Sequence, residues 1–232
     1  MPRRPARLRA AAYAGAVENA ARTNGSSNGS GPGSPREVAR AQKVAQAEFR
    51  RMVRAKHPHF VAAVLADARV TSRNRGRPLD DASPGRVALE ALRLAYESDG
   101  FLAQAMYRGK ARLQGLSVPV LPRILHRLAI LTSGIYIGDP VVVQPGIHLA
   151  HGQIVIDGIV EVRRGTTIFP FVTIGLRAGS MIGPTIGPRA TIGSGAKVIG
   201  EVSVGEGAKV GANAVVVSDV PDGTTVVGVP AR

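Results

Sequence analysis

Histidine is the residue type in this sequence that is best suited to acid–base catalysis near neutral pH, and the chain contains five of them. An imidazole has an ordinary pKa of about 6.5, so it can accept or release a proton under physiological conditions. His57 and His59 lie in a basic stretch, and His126 lies in a predicted helix. Only His148 and His151 fall in the β-rich C-terminal part. The sequence has no cysteine, which excludes a disulfide framework, a thiolate nucleophile and a cysteine-ligated zinc site.

The positive charge of the chain is concentrated in its first third. The net charge is +14, and residues 1–78 contribute 16 Lys+Arg against 4 Asp+Glu, a net of +12. Residues 79–232 hold 14 and 12, a net of +2. No nucleic-acid-binding module is recognisable and aromatic residues make up 4% of the chain, so the sequence disfavours nucleic acid as a partner.

Three regions differ in composition. Residues 1–36 are predicted to form a disordered basic arm and linker, because segment 23–35 (TNGSSNGSGPGSP) is polar and rich in Gly and Ser. The arm is interpreted either as a solubilising tail or as a contact to an acidic partner. Residues 37–133 are predicted to be α-helical, and residues 134–232 are β-rich. Without a signal-peptide core or an apolar run of about 18 residues, we predict no membrane segment and a cytoplasmic location.

The helical region divides into five predicted helices. They cover residues 37–56, 60–70, 84–99, 101–113 and 122–132. Ser83 is predicted to cap the third helix with Pro84 in its first turn, and Asp99-Gly100 is predicted to end it.

The β-rich region carries an internal repeat with a period of six residues. Isoleucine or valine occupies every sampled position from 156 onward, with one step of twelve residues: Ile156, Val162, Ile168, Ile174, Ile186, Ile192, Val198, Val204, Val210 and Val216. Ile137, Val143, Leu149 and Val155 are predicted to keep the same period in a phase shifted by one residue. Such a repeat predicts a solenoid with three flat faces per turn, in which each sampled side chain points inward. Glycine after these positions is expected to tolerate the backbone conformation of the corner.

With this repeat the sequence resembles the hexapeptide-repeat acyltransferases, and within them the serine O-acetyltransferases. The resemblance is carried by residues 121–138 (LPRILHRLAILTSGIYIG), 146–158 (GIHLAHGQIVIDG) and 192–232. It implies an α+β chain, in which the N-terminal α-helical domain is followed by a left-handed parallel β-helix of hexapeptide repeats. It also implies a homotrimer, and in the serine branch often a dimer of trimers, with acetyl-CoA as co-substrate between neighbouring β-helices.

The resemblance further implies direct acetyl transfer with His151 as the general base, against the alternative of an exposed turn histidine. His148, Arg177 and Asp157 are the candidate acceptor-binding residues, and His148 is equally compatible with a structural role. The candidate cofactor-binding residues are Gly175, Ala196, Lys197, Ala208, Lys209 and Ala214. The alternative interpretation is that these residues are ordinary corners of the repeat and that the two lysines are solvated. No metal is predicted.

The sequence departs from the serine acetyltransferase pattern near the acceptor. The family has an aspartate fifteen residues before the base and another directly before it, where this chain has Tyr136 and Ala150. The family's Arg-His pair is missing from the loop 175–185, although Arg177 is a partial substitute. Asp139, Asp157 and Glu161 are alternative carboxylates for orienting the base.

Three functions therefore stay open at the level of sequence. The first is an acetyl-CoA-dependent O-acetyltransferase acting on serine or a serine-like small acceptor. The second is a sugar or polysaccharide O-acetyltransferase of the same fold, and the third is a non-catalytic β-helix scaffold. The sequence stops at VPAR, without the tail by which serine acetyltransferases engage cysteine synthase, so that enzyme is not a predicted partner.

Overall fold

A computed structural model describes Val53 and residues 55–232. The chain divides into two compact units, 1–56 and 57–232, and the second contains the predicted chemistry. The predicted arm over 1–36 and most of the predicted helix over 37–56 lie outside the described residues.

Four helices open the second unit. They are α1 (Phe60–Asn74), α2 (Pro84–Glu97), α3 (Asp99–Gly115) and α4 (Leu121–Ser133). The Ser83 side chain accepts a hydrogen bond from the Arg86 amide, which confirms the predicted cap of α2. The predicted end of α2 at Asp99-Gly100 is wrong. Instead Ser98 caps α3, and Gly100 lies in its first turn, where a side chain would collide with the Leu149 carbonyl.

Fourteen short strands follow and wind into a parallel β-helix. They are β1 (Tyr136–Ile137), β2 (Val142–Val143), β3 (His148–Leu149), β4 (Val155–Ile156), β5 (Ile159–Val162), β6 (Thr167–Ile168), β7 (Thr173–Gly175), β8 (Ile182–Ile186), β9 (Thr191–Ile192), β10 (Lys197–Ile199), β11 (Ser203–Val204), β12 (Lys209–Val210), β13 (Val215–Val216) and β14 (Thr225–Val226). Face A has the order β1-β4-β7-β10-β13, face B β11-β8-β5-β2 and face C β14-β12-β9-β6-β3. The predicted helical part followed by a parallel β-helix of hexapeptide repeats is thereby confirmed.

The repeat positions fill the interior of the β-helix. All ten Ile and Val residues sampled from Ile156 to Val216 are buried. The prediction for Val155 is wrong, because this side chain is 39% exposed while Ile156 points inward. The turn between Leu149 and Ile156 therefore contains one additional residue.

The glycines that follow several interior positions have a different role from the one predicted. A methyl group on Gly193 would lie 2.7 Å from the Val210 carbonyl oxygen and 2.8 Å from the Ala212 amide nitrogen of the next coil. Gly187 is equally close to the backbone around Val204. These glycines permit close stacking of successive coils, and neither of them has the positive φ that would demand glycine for conformational reasons.

Helix α3 covers the edge of the first coil, which has no preceding coil to pair with. Its side chains donate hydrogen bonds to backbone carbonyls of that coil: Gln104 to Ile147 (3.3 Å), Tyr107 to Val141 (2.8 Å), Arg108 to Gln144 (2.8 Å) and Lys110 to Ile137 (2.7 Å). An uncovered edge would leave these carbonyls unpaired. Because the helices and the β-helix pack within one compact unit, a domain boundary at 133/134 stays a prediction.

Candidate active site

His151 lies in the turn between β3 and β4, at the place where the repeat changes phase. Strand pairing joins Tyr136 to Val155 across 19 residues, whereas Val155 pairs with Thr173 across 18. The additional residue enlarges the turn, in which Gln153 adopts a φ of 55°. His151 is exposed, and within residues 55–232 its side chain has no hydrogen bond or ion pair. An unengaged imidazole in an enlarged turn is accessible to a substrate.

The three candidate carboxylates for orienting His151 are placed elsewhere. Asp139 forms an ion pair with Lys110 (3.1 Å) and accepts a hydrogen bond from Gln114 (3.1 Å). Glu161 accepts a hydrogen bond from Gln144 on face B. Asp157 directly follows β4 of face A, whereas His151 lies in the turn that precedes this strand. None of the three bonds to His151 in the described part of the protomer.

His148 is buried on face C, where α1 covers the β-helix. Its Nδ1 lies 3.4 Å from the Thr71 hydroxyl. Burial, and secondarily the charge of Arg75, lowers the pKa of His148 to about 4. The imidazole is therefore neutral at physiological pH, and its surroundings are those of a packed residue.

Arg177 lies in a protruding loop at residues 176–181. Strand pairing joins Thr173 to Lys197 across 24 residues, so this coil is six residues longer than its neighbour. Arg177 is exposed, and its aliphatic stem lies against Gly200, which directly follows β10. Its guanidinium has no ion-pair partner within residues 55–232.

The predicted cofactor-binding residues fall on two different corners of the β-helix. Ala196 and Ala214 are buried at the corner that precedes face A, and Ala208 is buried at the corner that precedes face C. Lys197 lies on face A and donates a hydrogen bond to the Phe171 carbonyl (2.7 Å), whereas Lys209 is exposed on face C. A single protomer therefore does not bring the two lysines together.

Gly175 is buried in β7, and the space where a side chain would extend is nearly empty. The nearest neighbour of a methyl group added at this position would be Thr173 Cγ2 at 3.8 Å. Unlike Gly193, this glycine is not required by the stacking of coils.

The sequence interpretation missed a polar cleft that lies beneath α4. It has a volume of about 350 Å³, and its lining includes Lys110, Arg123, His126, Tyr136 and Asp157. The sequence of α3 does contain an indication of this cleft, because Lys110 lies on the same helical face as Ala103 and Tyr107. A lysine on an otherwise buried face requires a partner.

Among residues 55–232, no three histidine or carboxylate side chains converge as a metal site would require. In the same part of the chain, every helix is too short or too polar to cross a membrane.

Comparison with known proteins supports the interpretation of the repeat. Residues 183–218 match a family model described as bacterial transferase hexapeptide (six repeats). The chain has the hexapeptide-transferase fold. No curated protein sequence is significantly similar to it.

Solved structures extend the similarity beyond the repeat. A serine acetyltransferase of Neisseria gonorrhoeae in complex with serine is 26% identical, with 95% of this chain and 81% of that chain covered and a TM-score of 0.64. A serine acetyltransferase in complex with CoA is also 26% identical, with 84% and 76% covered and a TM-score of 0.62. The soybean serine acetyltransferase apoenzyme shares the fold at 24% identity, with 97% and 98% covered and a TM-score of 0.62.

Proposed function

We propose that this protein is an acetyl-CoA-dependent O-acetyltransferase that acts on serine or a serine-like small acceptor, with His151 as the general base. The observation that carries the proposal is the exposed, unengaged imidazole of His151 in the enlarged turn of a hexapeptide-transferase fold. Similar structures with bound serine and with bound CoA support the two substrates.

The reaction is a direct transfer. The neutral imidazole of His151 accepts the proton of the acceptor hydroxyl while the hydroxyl oxygen attacks the thioester carbonyl of acetyl-CoA. The carbon–sulfur bond then breaks, and the CoA thiolate takes up the proton. Because the chain has no cysteine, no acyl-enzyme on a cysteine thiol can form.

The active unit is proposed to be a homotrimer with acetyl-CoA between neighbouring β-helices. In one protomer, Lys197 and Lys209 lie on different faces, and His151 has no carboxylate partner in the described part. In the proposed trimer, face A of one β-helix lies against the corner that precedes face C of its neighbour. Gly175, Ala196, Lys197 and Ala214 then stand along one side of the cofactor groove, and Ala208 and Lys209 along the other. A cytoplasmic location stays a prediction.

A sugar hydroxyl is the second candidate acceptor. Tyr136 and Ala150 stand where serine acetyltransferases carry aspartates, and the loop 175–185 has no histidine. At these positions the chain thus lacks the charged groups that would hold the amino and carboxylate groups of free serine. A neutral polyol acceptor makes no use of such groups.

The test is acetyl transfer by the full chain, measured as release of the CoA thiol. Serine, homoserine and nucleotide sugars are supplied separately as acceptors. We expect turnover with one of these acceptors and a loss of about 10²–10⁴-fold in His151→Ala. His59→Ala is the matched control, because His59 is also exposed but lies at the start of α1. Unchanged turnover in His151→Ala refutes the assigned base, and an inactive wild-type protein favours the scaffold.

A further inference from the structure

The cleft beneath α4 is a cavity whose lining does not include the proposed base His151. Its floor is the first coil of the β-helix at Tyr136, Asp139 and Pro140, and its walls come from α3 and α4. A volume of about 350 Å³ is at the lower end of the range for ligand pockets, which suits a small molecule.

Two carboxylates, those of Asp139 and Asp157, line the cleft. The buried Lys110 ammonium donates to the Ile137 carbonyl and pairs with Asp139, which Gln114 also contacts. Asp157 lines the same cleft, and within residues 55–232 its carboxylate has neither a hydrogen bond nor an ion pair. The ammonium of Lys110 keeps one donor beyond these two partners. Two carboxylates, one of them unpaired, are suited to an incoming ammonium group.

The lining of the cleft also offers hydrogen-bond donors. Arg123 on α4 is exposed, and in the described part of the chain its guanidinium has no partner. The Tyr136 ring packs edge-on against His126, with ring centroids 5.0 Å apart, and this contact holds the phenol in the cleft. Burial, with the nearby Asp157 and Asp139, raises the pKa of Tyr136, so its hydroxyl remains a donor. A guanidinium and a phenol are suited to a carboxylate.

We infer that this cleft binds a free α-amino acid, with its ammonium group on Asp157 and Asp139 and its carboxylate on Arg123 and Tyr136. A ligand with a single charge would leave either the carboxylates or the guanidinium unpaired. His151 is not among the residues that line this cleft. The inference does not depend on the proposed acetyl transfer.

The experiment is calorimetric titration of the full chain with each of the twenty amino acids. L-alanine is the most informative probe, because it has no hydroxyl that could be acetylated. We expect saturable binding of at least one amino acid that contains no hydroxyl. Propionate and ethylamine, which each carry one of the two charges, are expected to bind at least about tenfold more weakly.

Matched variants locate the binding. Asp157→Asn and Arg123→Gln are each expected to weaken it by about tenfold or more, and Tyr136→Phe by less. The controls are Asp81→Asn, an exposed aspartate outside the cleft, and Arg127→Gln, one turn further along α4. Both controls and His151→Ala are expected to bind like the wild-type protein.

The outcomes separate this inference from the proposed function. Loss of acetyl transfer in His151→Ala with retained amino-acid binding supports both. The inference is overturned if none of the twenty amino acids binds, if Asp157→Asn and Arg123→Gln bind as tightly as their controls, or if His151→Ala abolishes binding. Thermal unfolding of each variant checks that it is folded.

Discussion

Replacement of Arg108 by methionine tests whether a buried ion pair holds the coil that leads to the active-site turn. Arg108 Nε lies 2.9 Å from Asp67 Oδ2, and the same arginine donates to carbonyls of the first coil. Asp67 accepts hydrogen bonds from the Gly146 amide (2.7 Å) and the Ile147 amide (3.2 Å). These residues directly precede β3, and His151 follows that strand.

The expected cost follows from the burial of the pair. Asp67 is 1% exposed and Arg108 3%, so Arg108→Met leaves a carboxylate in the interior without its countercharge. Removing one partner of a buried ion pair typically costs about 3–5 kcal/mol. That is a large part of the roughly 5–15 kcal/mol by which a typical domain is stable. The double variant Asp67→Asn/Arg108→Met removes both charges, and we expect it to be more stable than Arg108→Met alone.

The assay is urea unfolding at a fixed protomer concentration, because assembly would otherwise shift the midpoint. Arg93→Met is the matched control, since Arg93 forms an ion pair with Glu97 (2.7 Å) on the exposed surface of α2. Hydrogen exchange of the Gly146 and Ile147 amides reports the local effect. The reasoning is refuted if Arg108→Met unfolds at the same urea concentration as Arg93→Met, or if the two amides keep their protection.

Two further predictions concern the stacking of coils and the buried histidine. Gly193→Ala places a methyl group 2.7 Å from the Val210 oxygen, and we expect it to lower the free energy of unfolding, measured in urea, by about 1–3 kcal/mol. In Gly175→Ala the nearest contact of the added methyl group is at 3.8 Å, and we expect the free energy of unfolding to be unchanged. Equal effects would contradict close stacking as the reason for glycine. The pKa of His148 in the folded state, about 4, lies below its ordinary value of 6.5. The stability that the neutral imidazole contributes is therefore fully present above pH 6.5 and is lost as the pH falls toward 4. His148→Gln should therefore lose about 2–3 kcal/mol less between pH 7 and pH 4 than the wild-type protein, and parallel pH profiles would refute this.

The interior of the β-helix was predictable because each coil repeats one physical requirement. A side chain that faces a narrow apolar interior must be Ile or Val at every turn, so the period of six identified all ten sampled positions from Ile156 to Val216. The same period could not place the additional residue before Ile156. Both Val155 and Ile156 are apolar, and only the strand register decides which of them points inward.

The sequence was less informative where two elements meet. Gly100 follows an aspartate and resembles a helix end, but its lack of a side chain is required by the Leu149 carbonyl. A contact between residues that are far apart in sequence has no local pattern. The same limit applies to the candidate site, since the sequence identified His151 and His148 but not that His148 is covered by Thr71.

The way in which α3 covers the first coil also accounts for the position of the proposed base, His151. The β-helix needs a cap at its first edge, and α3 provides it with polar side chains directed at backbone carbonyls. The Ile137, Val141 and Ile147 carbonyls are fixed in this way, so the chain up to β3 has little freedom. The next turn follows β3, and it is there that an additional residue is accommodated without breaking the register of the later coils. His151 occupies that turn, which gives an exposed imidazole two rigid neighbours, β3 and β4. A base that must meet a hydroxyl at hydrogen-bond distance benefits from such support.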